Sequence, residues 1–391
     1  MKEKTSFLKK PGVQTLLASV LCAVLGIVIG FIILLFINPA HAFDAIIAIL
    51  KNFFRFSNSP QLMMYYFGST VVKAVPLILC ALAILFAYKA GLFNIGAAGQ
   101  YTVGFCAALF CALALKLPWY LCTFAAVVVG AFWGAIAGAF KAFFNVNEVI
   151  AGIMVNWIGL YLTNIILSDS RVMNPSLSET YGLESTAPQA LLPNLGMDKV
   201  FADNKYATIA IPVTILIAAA IWIILNKTTF GYELKATGHN KEAAKYAGMN
   251  AKKNIILTMT ISGGLAGLAA AFYYLTGIEN YTLASSVPGM GFSGIAVAFL
   301  GGLHPLGALA AGFFVEHVTL GGQYVDTTYY NPQVADLMIA VIIYLCGFVL
   351  FFKSIMNRRK KTAAPVSGEE MKKAADSAEK VSENKGKEDE K

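Results

Sequence analysis

The sequence predicts an all-α integral membrane fold, a polytopic bundle of about ten transmembrane helices. Three observations predict it. Of the 391 residues, 57% are hydrophobic and 13% charged; mean hydropathy is +0.64; and apolar runs of spanning length recur along the whole chain.

The first run, VQTLLASVLCAVLGIVIGFIILLFI at 13–37, follows Lys2, Lys4, Lys9 and Lys10. It is longer than a signal-peptide core, so a retained first helix is expected. Further runs lie near 69–88, 98–117, 119–140, 149–167, 207–226, 254–276, 292–303, 305–321 and 333–353, two of them short. Starting inside and alternating, the lysine-bearing loop 227–253 and the cluster Arg358, Arg359, Lys360 and Lys361 share the cytoplasmic side. Loops 38–68 and 168–206 then lie outside. The expected divisions are a cytoplasmic N-terminus at 1–12, a transmembrane domain at 13–353 and a disordered, charged cytoplasmic tail at 354–391, with both termini cytoplasmic.

Helix packing should be close. Gly130, Gly134 and Gly138 repeat at intervals of four, as do Gly26 with Gly30 and Gly263 with Gly267; such ridges bring backbones together, against this chain or another. The six cysteines all fall in apolar runs without a C-x-x-C pair, which suits small buried hydrophobes. GLFNIGAAGQYTVGFCAALF (91–110) and GMGFSGIAVAFLGGLHPLGALAAGFF (289–314) echo one another in two weakly similar halves. Glycine-interrupted turns beside short apolar helices point to broken helices at a pathway.

GMGFSG (289–294) fits G-x-G-x-x-G, but no strand precedes it and an apolar helix follows, so it reads as an entry turn rather than a dinucleotide site. No G-x-x-x-x-G-K-[ST] occurs, so any ATP must be hydrolysed by a partner. No basic patch interleaved with aromatics suggests a nucleic-acid partner. Glu148, Gly152, Asn156, Gly159 and Thr163 share one small, polar helical face; Gln100, Gly104, Ala107 and Cys111 form another. Such faces turn toward a bundle interior or wet cavity, as pathway or as interhelical glue.

Charges inside the spans are few, chiefly Lys73, Glu316, His317 and Asp336, most near span ends; Glu316 with His317 is either an interfacial or helix-packing feature, the commoner case, or a proton-coupling pair. The expected pathway residues are Asn94, Gln100, Asn156, Trp157, Tyr273, Tyr274 and Ser293. Amides, hydroxyls and rings, without an acidic or basic cluster, suit a small neutral polar solute such as a nucleobase derivative or a sugar. The loop 227–253 holds two short helical pieces separated by Gly238-His239-Asn240. Asn240 is the expected N-cap of KEAAKYAG, which ends at Gly248. That small-residue helix is one a partner protein could approach closely, or an ordinary connector.

GLFNIGAAGQ, NEVIAGIMVNWIGLYL, GYELKATGHNKEAAKYAGMN and GFSGIAVAFLGGLHPLGA together resemble the permease subunit of ABC importers for nucleosides and simple sugars, with the nucleoside branch nearest. The resemblance runs from about residue 70 to 350; Ala98 stands where that family commonly carries Glu. It implies a multi-pass subunit of the bacterial cytoplasmic membrane that moves nucleosides by alternating access and is not itself an enzyme. It implies no cofactor on this chain, with ATP and Mg on a partner ABC ATPase subunit. The other implied partners are a second permease chain, identical or paralogous, an extracytoplasmic solute-binding lipoprotein that delivers solute to the outer loops, and membrane lipid. By resemblance, Gly238, Asn240, Ala243, Ala244, Tyr246, Ala247, Gly248 and Met249 form the coupling segment in the loop 227–253. A permease for ribose or galactose is the alternative substrate class, and a proton-coupled secondary carrier the alternative mechanism.

Overall fold

The computed structural model describes residues 11–331, 333–346 and 348. Ser19–Gly347 forms one compact unit; of a second unit made by the two chain ends, the described residues are Pro11–Ala18 and Phe348. The expected terminus at 1–12, apart from its last two residues, and the tail at 354–391 lie outside the described residues.

In chain order the helices are α1 (Pro11–Ile37), α2 (Ala42–Lys51), α3 (Pro60–Lys89), α4 (Ala97–Leu113), α5 (Trp119–Phe144), α6 (Glu148–Leu167), α7 (Leu183–Thr186), α8 (Met197–Val200), α9 (Ala210–Lys227), α10 (Thr229–His239), α11 (Lys241–Tyr246), α12 (Ala251–Tyr274), α13 (Met290–Leu300), α14 (Pro305–Gly322) and α15 (Val334–Cys346). Among the described residues all ten apolar runs fall on helices, the last of them as far as Cys346. Among the described residues six helices, α1, α3, α5, α6, α9 and α12, are long and apolar enough to cross a membrane. At 11 residues α13 is about 16 Å long, half a hydrocarbon core.

The centre of the bundle is α3, buried without a break from Ala74 to Ala87, as a helix apolar on all sides requires. The most extensively packed pair of helices is α5 with α12, and α12 also packs on α3. A β-carbon on Gly134 would sit 2.2 Å from the Met259 carbonyl oxygen, and one on Gly263 would sit 2.2 Å from that of Gly130. The two glycine ridges therefore mesh with each other inside this chain, backbone against backbone. Gly26 and Gly30 likewise face Ile342 and Met338 of α15. Phe124, Val128 and Phe132 on α5 and Ile158 and Ile165 on α6 point outward, an apolar surface suited to lipid rather than water.

The segment 38–68 is not the open loop the hydropathy pattern predicts. Here α2 buries Ala42, Ala45, Ile46 and Ile49 on one face, a short 3-10 turn follows, and α3 begins at Pro60. Proline at a first helical position is preorganised for it. Gln61, Tyr65 and Tyr66 lower the hydropathy of these first turns, which hides them from an apolar-run search.

On the other connection, 168–206, a two-residue hairpin pairs Met173 with Thr180 and Asn174 with Glu179. Its Thr180 N–H donates to the Tyr281 carbonyl at 2.8 Å, and the Leu192 N–H to the Leu275 carbonyl at 2.9 Å. The segments 168–206 and 275–289 are thus laced into one cap. At its start a hydrogen bond and charge from Arg171 hold the Asp169 carboxyl down at about 2, so this surface pair stays ionised at physiological pH.

Candidate functional site

The stretch between α3 and α4 is a sharp bend. Gly91 adopts φ +72°, a left-handed conformation that glycine enters without a Cβ penalty. Three residues on, the Asn94 amide donates to Gln100 Oε1 at 2.8 Å and to Ser262 Oγ of α12 at 2.7 Å. Ser262 in turn donates to the Ala83 carbonyl of α3 at 2.7 Å. Asn156 of α6 closes the other side: its Oδ1 accepts the Gly99 N–H at 2.7 Å and its Nδ2 donates to the Ile95 carbonyl at 3.0 Å. Freed backbone groups of the bend are satisfied by side chains, as an irregular segment buried in a membrane protein requires.

A separate cavity of about 370 Å³ is lined by Lys73 of α3, Tyr273 of α12, Met290 and Ser293 of α13, Glu316 and Thr319 of α14 and Asp336 of α15, with Leu77, Val315, Ile339 and Ala340 as apolar wall. Spacing explains the convergence. Met290 with Ser293, Glu316 with Thr319 and Asp336 with Ile339 are each three apart, and Lys73 with Leu77 four, so each helix presents one face. The Tyr273 hydroxyl donates to Glu279 of the cap. A β-carbon on Gly291 would lie 2.5 Å from the backbone of Ala98, so the two glycine-interrupted segments of the two halves touch here.

The expected pathway residues thus divide. Tyr273 and Ser293 meet in the cavity, with Tyr274 buried close by against Phe105 and Tyr281. Asn94, Gln100 and Asn156 form the closed network. Trp157, one residue from Asn156 and so about 100° round the helix, is 41% exposed and stacks on Tyr161 at the outer face of α6. Two expectations are corrected. An acidic and basic cluster does exist, because tertiary packing gathers Lys73, Glu316 and Asp336 from far apart in sequence. Glu316 and His317 do not pair: as helix neighbours they diverge, and the His317 ring instead bonds Asn52 at 3.2 Å and the Leu50 carbonyl at 3.0 Å. Ser262 and Thr319, which sequence reasoning missed, carry no signal that separates them from any hydroxyl on an apolar helix.

In the segment 227–253, Asn240 Oδ1 accepts the Ala243 N–H at 3.0 Å and starts α11. The helix ends with Gly248 at φ +83°. Its N–H bonds the Lys245 carbonyl and that of Met249 the Ala244 carbonyl, the paired bonds of a Schellman terminus. Tyr246 is 94% exposed, and Ala243, Ala247 and Gly248 also face outward. Ala244 does not join that face: it is 4% exposed, turned into the chain where α11 meets α10 and α12. Asn254 of α12 donates to Thr237 Oγ1 at 3.1 Å, fastening α10 in place, and Gly238 at the end of α10 packs on Gly91.

The family described as "Branched-chain amino acid transport system / permease component" matches residues 66–347. The guanosine ABC transporter permease protein NupP of Bacillus subtilis (strain 168) is 37% identical over 77% of this chain and 86% of its own length. The nucleoside ABC transporter permease protein NupB of Lactococcus lactis subsp. cremoris (strain MG1363) is 30% identical over 88% and 95%. The glucose ABC transporter permease protein TsgB13 of Haloferax volcanii is 31% identical over 73% and 78%. No solved structure matches the chain.

Proposed function

Because the chain belongs to the family of branched-chain amino acid transport system permease components, we propose that it is the membrane-spanning subunit of an ATP-binding-cassette importer that carries nucleosides. The observation that carries the substrate is the similarity to permeases named for guanosine and nucleosides along most of the chain. The multi-pass bundle supports a transport subunit rather than an enzyme, with ATP hydrolysis on a separate chain.

The outward residues of α11, Ala243, Tyr246, Ala247 and Gly248, form the surface offered to an ATPase. Gly238, Asn240 and Met249 hold that surface in shape, and Ala244 anchors it from within. The cap made by 168–206 and 275–289 faces a solute-binding protein on the opposite side, and both termini lie with α11 in the cytoplasm of a bacterial cell. Trp157 and Tyr161 on α6 face a second permease chain or lipid. Solute reaches the bundle interior past Tyr273 and Ser293, while Asn94, Gln100 and Asn156 keep the bend rigid beneath them.

A simple sugar is the second reading, favoured by the similarity to a permease named for glucose. Ribonucleosides and sugars share a vicinal pair of hydroxyl donors. The test is uptake by proteoliposomes holding the chain with its ATPase and solute-binding partners. ATP-dependent, protonophore-insensitive accumulation of labelled guanosine but not glucose is expected. Glucose uptake alone transfers the assignment to sugars, and uptake driven by a proton gradient without ATP overturns the ABC reading.

A further inference from the structure

The Lys73–Glu316–Asp336 cavity holds an unresolved charge balance. Glu316 is 8% exposed and lines the cavity, and among the described residues the side chains of Glu316, Asp336 and Lys73 enter no ion pair or hydrogen bond. A buried carboxylate without a partner costs several kcal/mol, more inside a membrane. An apolar side chain at this position of α14 would pack at no such cost. A solute in the cavity would lie against that carboxyl group, and one that carries donors would satisfy it.

The lining limits the occupant. Two carboxylates face one ammonium, so a phosphorylated solute would be repelled while a neutral one rich in O–H or N–H groups would be held. Among the described residues no three His, Cys, Asp or Glu side chains gather as metal ligands, so the two carboxylates are not the core of a metal site of that kind. Ser293 and Thr319 add hydroxyls, and Tyr273, Leu77, Val315 and Ile339 supply apolar wall for the face of a ring. The volume, about 370 Å³, lies in the range of roughly 300–1,000 Å³ usual for small-molecule pockets.

We propose that this cavity is a hydroxyl-reading station for the transported solute, in which the Glu316 carboxylate accepts the two donors of a vicinal diol and Asp336 a further donor, with Lys73 offsetting their charge. The proposal rests on the nucleoside reading above. A carboxylate has two oxygens in one plane and suits paired donors; a 2′,3′-dideoxynucleoside brings none and leaves Glu316 buried and unmet.

The test uses the complete assembly in proteoliposomes and compares uptake of guanosine with that of 2′,3′-dideoxyguanosine, for the unaltered chain and for Glu316→Gln. The solute-binding partner is the same in both preparations, so its selectivity cancels when the two ratios are compared. Losing a charge-assisted pair of bonds should lower the guanosine preference, read as the ratio of the two uptakes, about tenfold or more. If Glu316→Gln does not assemble, Asp336→Asn is read in the same way. An unchanged ratio with guanosine uptake intact overturns the hydroxyl-reading role and leaves the nucleoside reading standing. No nucleoside uptake by the unaltered assembly overturns both.

Discussion

Gly238 of α10 rests directly on the backbone of Gly91: a β-carbon on Gly238 would lie 2.6 Å from the Gly91 nitrogen and 2.6 Å from the Ala90 carbonyl carbon. The segment that carries α11 is therefore in hard contact with the bend whose next residues, Asn94 to Gln100, reach the bundle interior. Packed backbone of this kind transmits displacement because it cannot compress.

Gly238→Val should break that contact. Overpacking of this kind costs roughly 1–3 kcal/mol, and here it pushes α10 away from the bend. The expected result is a permease that reaches the membrane and binds its ATPase, yet shows ATP hydrolysis that no longer responds to solute. Uptake equal to that of the unaltered chain would show that the contact carries no signal.

Asn156→Leu should act on stability before transport. From the sequence, the change predicts lost transport with normal assembly. The geometry adds two backbone groups, the Gly99 N–H and the Ile95 carbonyl, left without their partners. At about 1–3 kcal/mol each, the detergent-solubilised protein should melt several degrees lower, and uptake should fall with the folded fraction. A full-strength melting transition would place the role of Asn156 in solute contact instead.

Ala243→Arg should block ATPase docking without lowering the melting temperature, since Ala243 faces outward; Gly248→Trp should block docking too but also lower the melting temperature, because Gly248 holds φ +83°. Ala244→Arg should instead destabilise the chain, because Ala244 is buried. Lys241→Ala and Lys245→Ala should leave co-purification with the ATPase unchanged. If the lysine changes abolish it and the bulky ones do not, the contact is electrostatic.

Cysteines placed at Lys245 and Leu195, in a chain stripped of its own cysteines, should give opposite results with an impermeant thiol reagent on intact cells. Position 195, on the cap, should label, and position 245 should not. The reverse pattern would invert the topology.

Helices were legible wherever an apolar run reached about three turns, because a bilayer selects for hydrophobicity before anything else; the shorter run of α2 was not. The Asn240 cap and the Gly248 terminus were legible too, since capping is a local matter of a few residues. Which glycine ridge meets which was not: the spacing of Gly130 and Gly134 announces close approach but carries no address. Nor could the pattern along α14 show that Glu316 would face Lys73 and Asp336 while His317 turned to Asn52. Side chains one position apart take different neighbours only once α3, α14 and α15 are assembled. The first turns of α3 were lost for the opposite reason, their glutamine and tyrosines diluting an otherwise continuous run.

The meshing of Gly134 with Gly263 sets a schedule for biogenesis. Roughly a hundred residues separate α5 from α12, and at about 5–20 residues per second the ribosome needs roughly 5–20 s to supply the second ridge. Throughout that interval the glycine face of α5 has no mate and offers exposed peptide groups to lipid or to an insertion chaperone. A nascent chain arrested between the two helices would present that open face to membrane quality control, whereas one released after Tyr274 would already have closed it.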